Sequence, residues 1–108
     1  MNEKQFAEIT LKRTDKRPIA FKGVQLFKGD NHTHQGPTQN RWTKASIYQT
    51  DSGKFVVGIG YITCWQGESD RFTAAVFDSK EQVMAHIEEH AAPLAQDVAE
   101  ALNIAERV

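Results

Sequence analysis

Residues 41–65 read RWTKASIYQTDSGKFVVGIGYITCW, and the fold turns on them. Two runs rich in β-branched and aromatic residues, Arg41–Thr50 and Lys54–Trp65, flank Asp51-Ser52-Gly53. That spacing predicts a hairpin with a three-residue loop, the glycine taking the left-handed position. If Thr50 pairs with Lys54 the register is fixed, and with it the two faces. One face carries Ala45, Ile47, Val57, Ile59 and Tyr61; the other carries Trp42, Lys44, Ser46, Tyr48, Val56, Gly58, Gly60, Ile62 and Cys64. Both are largely apolar, whereas an antiparallel sheet with one solvated face alternates cleanly.

Working outward, residues 7–13 alternate as a first strand, and Thr14–Pro18 supplies turn chemistry. A second strand follows over residues 19–28. Ile19 and Phe21 keep one parity while Val24 and Leu26 keep the other, which predicts a bulge at Gly23 and a bent strand. Residues 29–40 form a long polar loop. A fifth strand spans residues 71–77; with Thr63 opposite Thr73, Ala75 and Phe77 join the first face, and Phe72, Ala74 and Val76 the second.

Helical spacing then begins. Residues 79–91 form a helix with Ser79 and Gln82 as a capping box and Val83, Met84, Ile87 and Ala91 as its apolar stripe. Residues 93–106 form a second, opened by Pro93, with Leu94, Val98, Ala101, Leu102 and Ala105 facing inward. The whole chain, residues 1–108, reads as a single α+β domain: a bent, mainly antiparallel five-stranded sheet followed by two C-terminal helices packed on one face. The helices cover one face only. The other would expose Trp42, Tyr48, Val56, Ile62 and Phe72 together, a large patch for a soluble monomer. A symmetric homodimer is the first expected cover, and curling of the sheet into a small barrel the second.

The 108 residues are 40% hydrophobic and 25% charged, with a formal net charge of −1. These values exclude a disordered tail, a coiled-coil rod and a disulfide scaffold. No apolar leader opens the chain, no apolar run reaches the roughly 18 residues of a membrane span, and Cys64 has no partner, so a cytoplasmic protein away from membranes is expected. The charge is segregated. Residues 1–54 carry ten Lys and Arg against five Asp and Glu, a net of +5; residues 55–108 carry three against nine, a net of −6. This pattern suits a polyanion-binding face backed by acidic helices, or head-to-tail complementarity within or between molecules.

Trp42, Lys44 and Tyr48 share one side of a strand opposite Gly58 and Gly60, with Lys12, Lys22 and Arg41 as candidate neighbours. Aromatic rings interleaved with cations over a smooth sheet suit single-stranded nucleic acid, and the same aromatics can fold over the glycines to restore packing. His86-Ile87-Glu88-Glu89-His90 is an H-x-x-E-H string that could hold zinc with Glu89 as a base, but it lacks a third ligand and a cleft. His32 and His34 form a second, loop-borne pair. Cys64, placed within a strand, reads as an inert apolar filler. No cofactor motif is present.

At Arg41-Trp42, Ser46–Thr50, Gly53–Val57 and Trp65–Glu68 the chain resembles small uncharacterised proteins of proteobacterial conjugative and integrative elements, over about residues 41–90. The resemblance implies a bacterial accessory protein near mobile DNA and carries no catalytic residue. The expected function is a non-enzymatic interaction module, homodimeric and bound to a macromolecular partner. The alternative is single-stranded nucleic-acid binding through the basic, aromatic face, and a metal-dependent hydrolase comes third.

Overall fold

The computed structural model describes residues 6–31, 41–64 and 67–104. Five antiparallel strands lie in sequence order: β1 (Ala7–Arg13), β2 (Lys16–Asp30), β3 (Arg41–Thr50), β4 (Phe55–Thr63) and β5 (Arg71–Phe77). Helix α1 (Lys80–His90), a 3₁₀ turn (Ala92–Leu94) and helix α2 (Ala95–Leu102) follow. The α+β architecture is as the sequence predicts.

The β3–β4 hairpin sets the frame. Thr50 N–H donates to Lys54 O at 2.8 Å and Gly53 takes φ 87°, so the loop is the three-residue type and Gln49 faces Phe55. The face bearing Ala45, Ile47, Val57 and Ile59 packs on Val83, Met84, Ile87, Leu94, Val98 and Leu102. Ile47, Val57, Val83, Ile87 and Val98 are all at 0% exposure. At roughly 1.5–3 kcal/mol for each fully buried aliphatic side chain, this layer supplies most of the stability.

Several details differ from the sequence reading. In β2 the bulge falls at Leu26, between Gln25 (opposite Tyr48) and Phe27 (opposite Ile47), while Gly23 pairs regularly with Ala7 and Thr50. The parity switch at Gly23 is instead a change of which layer β2 supports. Phe21 meets Tyr48 on the concave side, and Leu26 and Phe27 pack against the helical core. A second irregularity puts Arg17 and Pro18 opposite Lys12, where the missing proline amide costs no ladder bond. β5 pairs with Tyr61 opposite Arg71, four residues from the expected Thr63–Thr73 register. Asp70 Oδ1 takes the Thr63 N–H at 3.0 Å and ends the ladder there. The shift is even, so the faces stand.

Ser79 caps α1 by accepting from Gln82 N–H at 3.2 Å, but Gln82 Oε1 reaches Asp78 N–H rather than closing a box on Ser79. α2 stops at Leu102. Asn103 is left-handed (φ 57°), and Asn103 and Ile104 N–H donate to Glu100 O and Ala99 O, a Schellman stop that asparagine tolerates. The inward stripe of the 3₁₀ turn and α2 is Leu94, Ala95, Val98, Ala99 and Leu102, so Ala101 is exposed rather than inward, and Ala105 with the rest of the expected helix end lies outside the described residues. So do Trp65 and most of the loop, including His32 and His34.

The second apolar face is covered in part from within the chain, with Val76 left 49% exposed. β1 arches over it: Leu11 Cδ1 sits 3.2 Å from where a Gly58 Cβ would be, so a larger residue there would have to push the leucine back. The β1–β2 turn docks on the start of β5. Thr14 N–H donates to Phe72 O and Phe72 N–H to Thr14 Oγ1, each at 2.8 Å, and Arg71 lies 3.7 Å from Asp15. Val56 is 1% exposed as a result, and Trp42, Tyr48, Ile62 and Phe72 are half-buried rather than bared together. Among the described residues no helix is long and apolar enough to cross a membrane.

Replacing Thr14 by Val keeps the shape but removes the acceptor of the Phe72 amide. The expected loss is about 1 kcal/mol in urea unfolding, with Thr14→Ser close to wild type. An unchanged midpoint for Thr14→Val would show that this contact does not hold the curl.

Candidate functional site

Curling turns the second sheet face into a groove of about 400 Å³. Alternation along β3 points Lys44, Ser46 and Tyr48 into it, and β4 floors it with Gly58 and Gly60. β5 adds Phe72, and β1 adds Leu11 and Lys12. Lys28 arrives by a less direct route. Without the extra residue at Leu26, strand parity would send Phe27 into the groove and Lys28 toward the helices. The bulge reverses both, so Phe27 joins the core and Lys28 lies across from Ser46. Asp30, opposite Lys44, is the one carboxylate in the lining.

The charge of this groove is its main chemical feature. Among the described residues, none of Lys12, Lys28 and Lys44 is in an ion pair, so three ammonium groups face one carboxylate in a space bounded by ring and aliphatic carbon. Two of them rest on one ring: Lys12 Nζ lies 4.6 Å and Lys44 Nζ 5.8 Å from the Phe72 centroid. Gly60 makes the second contact possible. A Cβ there would stand 3.1 Å from both Lys44 Cε and Phe72 Cε1, so a side chain would crowd the lysine stem against the ring. Tyr48 is braced edge-on by Phe21, their centroids 5.5 Å apart at 63°. Fixed rings and cations over a glycine floor can hold an anionic chain that carries flat groups.

The sequence candidates divide. Lys12, Lys44 and Tyr48 come together here. Lys22 projects from the opposite face, cross-strand from Glu8. Trp42 and Arg41 line a separate, polar depression at the strand ends with Ile62 and Glu68. Arg41 makes a two-pronged contact with Glu68, whose Oε1 also accepts from Thr63 Oγ1 at 2.6 Å. The Arg41 hydrogen bond, then that of Thr63, holds the Glu68 carboxyl below its usual range, and Glu68 in turn raises the Arg41 guanidinium. Lys28 and Phe72 were not among the candidates. Phe72 follows from its face in the sequence, whereas a bulge at Gly23 leaves Lys28 on the side of Val24 and Leu26, away from the groove.

The two helix histidines lie away from the groove, on the last turns of α1. His86 packs on Phe77 (centroids 4.9 Å) and against His90 (4.6 Å), and Glu89 lies 3.6 Å from His90 Nε2. Among the described residues no group of three or more His, Cys, Asp or Glu is placed to hold a metal ion. Cys64 lies just past β4 and is exposed rather than packed as a filler. No protein-family model, curated protein or solved structure matches the chain.

Burial, then the neighbouring His90, pushes His86 below its ordinary pKa of 6.5, with Glu89 pulling weakly the other way. The folded state thus prefers neutral His86. Its contribution is complete above pH 6.5 and is lost as the pH falls through the folded value. The urea midpoint is expected to drop between pH 7.5 and 5.5, and His86→Phe, which keeps a ring against Phe77, to flatten that drop. Parallel pH profiles for the two proteins would count against the assignment.

Proposed function

We propose that this protein is a non-enzymatic binding module that holds a single strand of nucleic acid in the concave groove of its sheet. The observation that carries the reading is the set of three lysines, Lys12, Lys28 and Lys44, in no ion pair among the described residues and gathered with Tyr48 and Phe72 over a glycine floor. Phosphates meet the ammonium groups, and bases meet Tyr48 and the apolar walls. The resemblance over residues 41–90 to proteins of mobile elements, and a bacterial cytoplasmic setting, agree with such a ligand. Metal-dependent hydrolysis draws no support from the described residues.

A homodimer remains compatible with this role but is not required by it. The apolar face that would call for a second copy has β1 lying across part of it.

Fluorescence anisotropy with a labelled oligothymidylate tests the reading. Binding is expected to weaken with salt at a logarithmic slope of about −2, as three phosphate contacts to a single strand require. Changing Lys12, Lys28 and Lys44 together to Gln should abolish the salt dependence along with most of the affinity, while changing Lys22 should do neither. Absence of binding at low salt, or equal binding by the triple variant, would sink it.

A further inference from the structure

We infer that Lys12 and Lys44 form a phosphate subsite and that Phe72 is its positioning residue. This rests on the nucleic-acid reading but makes a separate claim, that the ring acts on the lysines and not on a base.

The two lysines come from strands that are not neighbours, β1 and β3, and among the described residues neither is in an ion pair, although Asp30 lies cross-strand from Lys44. What they share is the Phe72 ring on β5, approached to 4.6 and 5.8 Å. A ring of this kind attracts an ammonium through its quadrupole, without neutralising it as a carboxylate would. The charge therefore stays available to a ligand while the flexible stem loses its freedom beforehand, which is how preorganisation raises affinity. Two further features fit this role. Gly60 leaves a flat track along which the Lys44 stem reaches the ring, and the Thr14–Phe72 hydrogen bonds fix the backbone of the ring and bring β1 close enough for Lys12 to reach it. With cations already on it and Gly60 beneath it, the ring is poorly placed to stack on a base. The ligand chemistry is that of a phosphate group, which two ammonium donors can grip together.

The test compares wild type, Phe72→Leu and Phe72→Tyr with two probes, the labelled oligothymidylate and inorganic tripolyphosphate, which has no base. Phe72→Leu is expected to weaken both probes about fivefold, through loss of the two cation–ring contacts. The salt slope should not change, because every lysine remains. Phe72→Tyr should keep wild-type affinity for both. In the free protein, the ε-methylene protons of Lys12 and Lys44 should show upfield ring shifts that vanish in Phe72→Leu and persist in Phe72→Tyr. Loss confined to the oligonucleotide would mean that the ring stacks on a base, and would overturn the positioning role. Unchanged tripolyphosphate binding in a folded Phe72→Leu protein, or lysine protons at ordinary shifts in wild type, would overturn it too. In each of these cases a wild type that still binds oligothymidylate leaves the broader function standing, whereas a wild type that binds neither probe removes both.

Discussion

A sheet whose central strands are apolar on both sides, attached to helices sufficient for one, has to bend back on itself or leave oily surface in water. That constraint organises this chain. Ala45, Ile47, Val57 and Ile59 take the helices, and Val56, Tyr48 and Phe72 are left to the strands themselves. β1 crosses them, and the turn after it is tied to β5 through Thr14 and Phe72. The two edges of the sheet, otherwise rows of unpaired amides and carbonyls open to other chains, are drawn together at that point.

The same bend makes the groove. A flat sheet would spread Lys12, Lys28 and Lys44 over three separate strands facing solvent. Once curled, they converge on a common space, and two of them meet on one phenylalanine. The local departures from regular strand geometry all serve this end. Leu26 is the residue inserted to turn Lys28 inward and Phe27 outward, and Gly60 is the gap through which Lys44 crosses β4. Irregular strand positions next to a binding surface are a common means of re-aiming single side chains.

These departures also explain how far the sequence could be read. The β3–β4 register followed from Asp51-Ser52-Gly53 because a three-residue loop allows one pairing, and the α1 stripe followed from strict spacing of Val83, Met84 and Ile87. The surplus of apolar strand surface was equally plain, and with it the need for a cover. What covered it was not, because curling is decided by contacts such as Leu11 on Gly58, which are remote along the chain. The bulge was misplaced by three residues for a related reason. A change of parity at Gly23 looks the same in sequence whether the strand slips or simply changes the layer it faces. A bulge at Gly23 keeps Lys28 on the side of Val24 and Leu26, whereas the bulge at Leu26 sets it opposite them, in the groove. Asn103 was a stop signal in the sequence that periodicity alone passed over.

The segregation of charge along the chain becomes a segregation in space. Lys12, Lys28 and Lys44 belong to the basic half and face the groove, whereas Glu81, Glu88, Glu89, Asp97 and Glu100 are exposed on the helical layer behind the sheet. A near-neutral protein can in this way concentrate positive charge in the groove, although Lys22 and Lys80 lie on the helix side. Stability is divided along the same line. The fully buried aliphatic side chains lie almost entirely between sheet and helices, and the groove wall is made of half-exposed rings, glycines and long cations. Substitutions that alter the groove surface therefore act on binding before they act on folding. The exceptions are the positions where surface and closure coincide, Thr14, Gly58 and the Phe72 backbone, because there the strand that covers the sheet and the strand that carries the ring are one joint.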